Sequence, residues 1–404
     1  MPGIISSTLA SRLINLQAFK ETTWGTQGLA TAHWMGVQPY PTFKPFQKST
    51  TFDEDRSSLQ NSFLSAVLVE GGEFNFSMHA TYEEINFILN GGLQAVTPTG
   101  GNPYTWTYVA PTSSAWYTQS YTFEHGYDAG TIGASGCIIN KWSIKGSSKK
   151  QWEATASGFF KTYYPNSAAA ITSSTDANPI EVTTTVNHGL GNGMQVIIAD
   201  HVTNVAANGK WVIAVTGLNK FTLTGSVGSG AGAGSGGTYT KTQTPSLASR
   251  PVEVILFPGT NLYMDAGGGT LGATAFPNCL LGFTLDVNAN TVPIYGSDSK
   301  APIGWTYDKV IPTLTLKMLY TAQVKAFINS TLKAGSRAVT RLSNVSGAKS
   351  AKLNFAGVMI DDPTYYGNEQ SAIAVEVKLE GQYESVSIGN QLSAEIVNAV
   401  ASLP

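Results

Sequence analysis

A segment near the middle of the chain differs in texture from the sequence on either side of it. Residues 169–242 consist of short β-branched stretches, such as "MQVIIA" and "KFTLTG", separated by turns that contain glycine or asparagine. The stretch "PNSAAAITSSTDANP" opens the segment, and the run "VGSGAGAGSGGTYT" lies near its end. The pattern predicts a small all-β module inserted between two longer pieces of similar length, residues 1–168 and 243–404.

Within this module, the stretch "VNHGLGNGM" at residues 186–194 is the part that suggests chemistry. A phosphate-binding loop has its glycines between a strand and a helix N-terminus, whereas another predicted strand follows these glycines. A zinc site needs several ligands at suitable spacing, and His188, Asp200 and His201 do not have it. We therefore predict a tight turn in which glycines supply positive φ angles; a ligand role for His188 is the alternative.

The two outer pieces resemble each other. Set without gaps, "FNFSMHATYEEINFILN" (74–90) and "LTLKMLYTAQVKAFINS" (314–330) share Met, Thr, Phe and Ile at the same positions. Each stretch alternates like a strand and continues as a short amphipathic helix. Alternating segments follow in both pieces, which is typical of antiparallel strands with one buried face. We interpret this as an internal duplication, and a duplication determines the architecture of the whole chain.

The composition favours β structure and subunit contacts. Charged residues make up only 12% of the 404 residues, and the formal net charge is −2, against a typical charged share of about 25%. A surface of low charge tends to associate. The sequence contains no basic block, so it does not indicate sequence-specific DNA binding. Cys137 and Cys279 form no metal-binding pair in sequence, and a reducing compartment fits. We expect no signal peptide and no membrane-spanning segment.

The chain outside the insert resembles the tail tube proteins of long-tailed bacteriophages of the siphophage type. The resemblance lies in "FKETTWGTQGLATAHWMGVQPYPTFKP", in "SYTFEHGYDAGTIGASGCIINKWSIKGSSKKQWEATASGFF", and in "RPVEVILFPGTNLYMDAGG". The insert resembles a small β module found in many phage virion proteins, which is similar to the first catalytic cysteine half-domain of ubiquitin-activating enzymes. The segment contains no cysteine, so that enzyme's chemistry does not carry over.

The resemblance implies a mainly β fold with two tandem tail-tube domains, each a β-sandwich or barrel with a flanking helix. The first would be residues 1–168 with an N-terminal arm at about 1–50, the inserted module residues 169–242, and the second residues 243–404. Three chains would then form a homotrimeric, pseudo-hexameric ring, and stacked rings would form the tube. A true hexamer is the alternative, and the insert would project outward.

The implied function is that of a structural virion protein, assembled in the cytoplasm of a bacterial host, whose hollow tube conducts DNA. Expected partners are other copies of the chain, the tape measure, tail terminator and tail-tip proteins, and DNA in transit without sequence preference, but no membrane. A neutral or acidic lumen would let DNA slide, because lysine and arginine contacts to phosphate dominate non-specific binding. The richest acidic clusters are Asp53–Glu54–Asp55 and Asp361–Asp362, with solvated loops as the alternative reading.

Two other classes of function remain open. An enzyme could use Glu124, His125 and Asp128, or Asp361 and Asp362, but no known catalytic motif surrounds these residues. We therefore expect no enzymatic activity, no catalytic residues, no cofactor and no metal. A virion adhesin or receptor-binding protein that recognises glycans is the second alternative. Tryptophans Trp24, Trp34, Trp106 and Trp116 are candidate interface anchors or core residues.

Overall fold

A computed structural model describes residues 15–27, 32–34, 42–52, 64–112, 118–127, 130–164, 168–242, 252–369 and 372–403. Strands account for 55% of the chain and helices for 7%. These proportions confirm the expectation of a mainly β fold.

The strands and helices fall into three successive parts of the chain. The N-terminal part contains β1 Asn15–Lys20, β2 Ala32–Trp34, β3 Thr42–Phe52, β4 Leu64–His79, α1 Ile85–Gly92, β5 Tyr104–Val109, β6 Tyr121–Tyr127, β7 Gly130–Ser147, β8 Glu153–Phe160 and β9 Thr162–Tyr164. The middle part contains β10 Ala169–Ser174, β11 Glu181–Thr184, β12 Gln195–Ala199, β13 Gly209–Gly217, β14 Lys220–Leu223, β15 Gly234–Ser235 and β16 Thr238–Thr242. The C-terminal part contains β17 Thr260–Ala266, β18 Leu280–Asn288, β19 Val292–Ile294, β20 Gly304–Thr306, β21 Ile311–Leu319, α2 Ala322–Phe327, β22 Ala338–Ser346, β23 Lys349–Met359, β24 Thr364–Glu369, β25 Ala372–Gly381 and β26 Leu392–Asn398.

Eight of these strands form a continuous antiparallel sheet to which both ends of the chain contribute. Its order is β3-β4-β8-β7-β18-β21-β25-β24, and we call it the joint sheet. The first four strands come from the N-terminal part and the last four from the C-terminal part. The two parts meet where residues 141–147 of β7 pair with residues 282–288 of β18.

One face of the joint sheet packs on the core, because apolar and polar side chains alternate along its strands. In β4 the buried Phe74, Phe76 and Met78 alternate with the more exposed Asn75 and Ser77. In β21, likewise, Leu314, Leu316 and Met318 are buried between threonines and a lysine.

A second layer covers that apolar face. It consists of the strands β17-β22-β23-β26-β5 and of β1, β2, β6, β9 and the first half of β7. The side chains between the layers, together with those of α1 and α2, form a single hydrophobic cluster with members from both parts of the chain. Residues 15–20 and 42–52, which fall within the arm expected at about 1–50, are therefore strands paired with the rest of the fold.

The middle part forms a closed barrel of its own. Six strands pair in the cyclic order β10-β11-β14-β13-β12-β16, and β16 returns to β10. Its interior is a separate cluster that includes Val182, Val196, Ile213 and Phe221. Residues 169–242 thus contain a six-stranded barrel with a hydrophobic interior of its own.

Candidate functional site: the polar face and the edges of the joint sheet

The face of the joint sheet that points away from the core carries polar and charged side chains of both signs. Its acidic residues and its lysines are nearly equal in number: Glu73, Glu153, Asp286, Glu376 and Glu380, against Lys44, Lys48, Lys141, Lys145, Lys317 and Lys378. Serines, threonines and asparagines occupy most positions between them. The face therefore has almost no net charge, although charge is dense along it.

The register of the strands places opposite charges side by side on this face. Lys145 lies opposite Glu153, and the Lys145 Nζ atom is 3.0 Å from Glu153 Oε2. The hydrogen bond from Lys145 lowers the pKa of the Glu153 carboxyl group. Lys317 lies opposite Glu376 in the next pair of strands. Such exposed pairs contribute about 0–1 kcal/mol each, so they neutralise the surface more than they stabilise the fold.

A groove of about 630 Å³ follows this face across the junction between the two parts of the chain. Its polar lining includes Asn75, Lys141 and Ser157 from the N-terminal part, and Asp286 and Thr313 from the C-terminal part. Residues of β7 and β18 lie side by side in the groove, so it lies where the two halves of the joint sheet meet.

The strand–helix units of the two parts have the same internal geometry. The hydroxyl group of Thr81 accepts a hydrogen bond from Glu84 N at 3.0 Å, and that of Thr321 accepts one from Val324 N at 3.3 Å. These threonines are aligned in the sequence repeat. Thr321 caps the start of α2, and Thr81 accepts the equivalent bond in the turn that leads into α1, whose own N-cap residue is Glu84. Met78 and Met318, also aligned, are both buried in the core.

The pairing of strands is also equivalent in the two parts. β4, which precedes α1, lies between β3 and β8, and β21, which precedes α2, lies between β18 and β25. β8 continues to β7 through a hairpin, as β25 does to β24. Each part thus contributes the same four-stranded arrangement to the joint sheet.

A buried polar network holds the two parts together. Tyr82 donates a hydrogen bond from its hydroxyl to Asn344 Oδ1 at 2.5 Å, and Asn398 Nδ2 donates to the Tyr82 carbonyl oxygen at 2.6 Å. Burial, with the negative charges of Glu253 and Glu83, raises the pKa of Tyr82 to about 12. The Lys349 Nζ atom lies 2.6 Å from Glu83 Oε1 and 3.1 Å from Glu253 Oε2. Every side chain in this network bridges segments distant in sequence.

The barrel is attached to the N-terminal part by a buried ion pair. Lys241 of β16 donates to the Oε1 atom of Glu124 in β6. The Glu124 side chain is fully buried and that of Lys241 is 13% exposed. The sequence presents Glu124 as a candidate catalytic acid and does not indicate its partner. The only local signal for Lys241 is its place near the end of β16.

Residues 186–194 have the positive φ angles expected at their glycines but do not form a tight turn, because β11 and β12 pair with other strands of the barrel and the link between them is longer. The segment connects β11 to β12, and Gly189 and Gly193 have φ angles of 61° and 79°. His188 Nδ1 accepts a hydrogen bond from Leu190 N at 2.9 Å, and its Nε2 atom lies 3.1 Å from the carbonyl oxygen of Gly217. The histidine therefore holds this link together through both of its ring nitrogens.

The other titratable candidates are not brought together into one site. His201 is buried in the barrel, with Nε2 2.7 Å from Ser174 Oγ and Nδ1 2.6 Å from the Gly236 carbonyl oxygen. His125 stacks on Phe43 with ring centroids 5.3 Å apart, and burial lowers its pKa. Asp361 and Asp362 are exposed beyond the end of β23. Asp128 and the Asp53–Glu54–Asp55 cluster lie outside the described residues.

The tryptophan candidates divide between core and surface. Trp106 is 1% exposed and donates from its indole nitrogen to the Val400 carbonyl oxygen at 3.0 Å, so it is a core residue. Trp24 is half-buried and meets Trp305 edge-on, with ring centroids 5.0 Å apart. The side chain of Trp34 and the whole of Trp116 lie outside the described residues.

Three further indications of function would be a metal site, a membrane-spanning helix and similarity to known proteins. No group of three or more His, Cys, Asp or Glu side chains in the described part of the chain could hold a metal ion. Among the described residues, none of the helices has the length and apolar character that crossing a bilayer requires. No protein-family model matches the chain, and no similarity to a curated protein sequence was found.

Proposed function

We propose that the chain is a structural virion protein that assembles into stacked rings and forms the hollow tail tube of a long-tailed bacteriophage. The observation that carries this proposal is the joint sheet, which contains two equivalent four-stranded halves and one polar face, and whose two outer strands each pair on one side only within the described residues. A sheet with open edges invites pairing with another chain. When such head-to-tail contacts close by rotation they form a ring.

The equivalent halves support an internal duplication, in which residues 1–168 and 243–404 are two tandem tail-tube domains. The equivalent hydrogen bonds of the aligned Thr81 and Thr321 and the matching order of strands support it. With two domains per chain, three chains form a ring of six similar units. Both domains share one core, so each chain enters the ring as a rigid pair.

The polar face of the joint sheet is suited to line a channel for DNA. Its acidic residues and lysines are nearly balanced, and Lys145 and Glu153 form an ion pair across neighbouring strands. Non-specific affinity for DNA comes chiefly from lysine and arginine contacts to phosphate. A wall with little net charge therefore gives the polyanion neither a strong attraction nor a strong repulsion. Residues 169–242 form the module that projects from the outer side of the tube.

Electron microscopy of the purified, concentrated protein tests this proposal. We expect hollow tubes built of three-fold rings, with six similar lobes around the lumen and outward knobs at the positions of the barrels. A particle that stays discrete and has no lumen at any concentration would refute the tube. In that case the adhesin alternative would be tested next, by binding of the protein to glycans.

A second experiment addresses the lumen. A variant with Glu153 and Glu376 replaced by glutamine keeps the lysines of the face and removes two acidic charges in every chain. If the face lines the lumen, its tubes should retain short double-stranded DNA at low salt and release it as salt rises, whereas wild-type tubes should not. The matched control carries E181Q and E395Q, which remove charges elsewhere on the molecule. Equal retention by both variants would place the face outside the channel.

A further inference from the structure

The joint sheet ends in two strands that have a partner on one side only. Within the described residues, β3 pairs with β4 alone and β24 pairs with β25 alone. The β24 edge carries apolar side chains in contact with solvent. Tyr365 of β24 is 47% exposed and Ile373 at the start of β25 is 55% exposed. An edge of this kind is a template for pairing with another strand.

The internal repeat relates these two edges to the junction inside the chain. The aligned residues Asn75 and Thr315 lie opposite Thr42 and Thr284 respectively, so β3 corresponds to β18. In the two hairpins, Ser143 lies opposite Thr155, as Thr364 lies opposite Glu376. β24 therefore corresponds to β7. Because β7 pairs with β18 inside the chain, the free β24 and the free β3 have the same complementary geometry.

The β24 edge lacks the cover that its counterpart inside the chain has. In the hairpin alignment, Tyr365 corresponds to Ile144 and Ile373 corresponds to Trp152. Ile144 and Trp152 are fully buried, and Trp152 meets Phe283 of β18 edge-on with ring centroids 5.0 Å apart. The internal junction thus covers the two positions that remain exposed at the free edge.

We propose that β24 of one copy pairs with β3 of the next copy, in the register that β7 uses with β18. This inference rests on the proposed assembly of the chain into rings. Asp286 lies opposite Ser143 at the internal junction, and the corresponding pair between copies is Lys44 opposite Thr364. Leu285 lies opposite Ile144, and the corresponding pair is Phe43 opposite Tyr365.

The side chains agree with this register. Phe43 lies opposite Phe74, and Tyr365 lies opposite Val375, so both aromatic rings point to the core face of the sheet. Lys44 and Thr364 both point to the polar face. A slip of one residue would bring side chains of opposite faces together. Pro45 and Pro363 face each other in this register and lack backbone N–H groups, so the ladder ends at Lys44 and Thr364 on that side.

Disulfide cross-linking between assembled copies tests the register. A mixture of K44C chains and T364C chains, assembled and then oxidised, should give covalent dimers on non-reducing gels, and either variant alone should give none. The double variant K44C/T364C should give dimers and trimers. The native Cys137 and Cys279 are buried, so wild-type protein provides the blank.

Two controls fix the geometry. S143C/D286C places cysteines at the equivalent internal positions, so it should form a disulfide within one chain under the same conditions. K48C mixed with T364C moves one cysteine four residues along β3, about 13 Å, and should not cross-link. Rings or tubes without cross-links between K44C and T364C would overturn the register while leaving the proposed function standing. Absence of any ring in the wild-type protein would overturn both.

Discussion

Replacement of Lys241 by methionine would remove the cationic partner of a carboxyl group that has no access to water. Glu124 is fully buried, and within the described residues its Oε2 atom has no hydrogen-bond partner. Loss of one partner from a buried ion pair costs about 3–5 kcal/mol, because the other charge stays uncompensated. We therefore expect K241M to lower the free energy of unfolding by about that amount.

The double variant E124L/K241M separates the cost of the orphaned charge from the value of the pair. Apolar replacement of both partners of a buried pair is often neutral or stabilising, so the double variant should be more stable than K241M alone. K220M provides a matched control, because the Lys220–Glu181 pair lies in the same barrel with side chains 47% and 26% exposed. Its loss should cost less than about 1 kcal/mol.

Chemical denaturation followed by circular dichroism gives the stabilities, and limited proteolysis near residues 165 and 243 reports detachment of the barrel. K241M should be cut faster than wild type and K220M should not. A K241M protein as stable as K220M would refute the reasoning. The single variant E124L completes the cycle. A double variant whose loss of stability equals the sum of the losses of E124L and K241M would also refute the reasoning, since the pair would then have no coupling.

Three further predictions follow from the junction and the repeat. W152A should lower the free energy of unfolding by about 3–5 kcal/mol in denaturant titrations, because Trp152 is fully buried against Phe283 and donates to Thr260 Oγ1 at 2.9 Å; a loss below about 1 kcal/mol would contradict this. T321A should cost about 1 kcal/mol through loss of the helix cap, while T321S, which keeps the hydroxyl group, should stay close to wild type. Hydrogen bonds from Ser346 and Lys349 lower the pKa of Glu253. The contribution of this carboxyl group to stability is therefore present above about pH 4.3, its unfolded pKa, and is lost as pH falls through the folded pKa. E253Q should show a shallower acid dependence of the unfolding midpoint, and an unchanged dependence would count against the contact.

The sequence predicted those features that depend on local pattern. Alternation in residues 74–79 and 314–319 indicated strands with one buried face, and the structure has these strands as parts of β4 and β21. The glycines at 189 and 193 have the positive φ angles predicted for residues 186–194. In each case the residues that determine the structure lie within a few positions of one another.

Features that depend on the pairing of distant strands could not be predicted from local sequence pattern. Nothing in the neighbourhood of Ser143 indicates that it will lie opposite Asp286, because that pairing depends on where two distant hairpins meet. The Lys241–Glu124 pair likewise joins the barrel to a strand 117 residues away. Glutamate in "FEHGYD" resembled a catalytic acid in the sequence, and only the fold shows its partner.

In the proposed ring, the internal junction and the junction between copies would have the same strand geometry but different chemistry. Inside the chain, the junction is tethered covalently and secured by Trp152, Tyr82 and Asn344, so it forms whenever the chain folds. The outer junction would have to form from exposed edges, where Lys44, Pro45 and Pro363 oppose indiscriminate strand pairing. The hydrogen-bonded ladder of the outer junction is short, so one such contact alone is weak. The contacts become stable when the ring closes, because each copy is then held on both sides. A chain built in this way makes half of the required contacts during folding and leaves the other half to assembly.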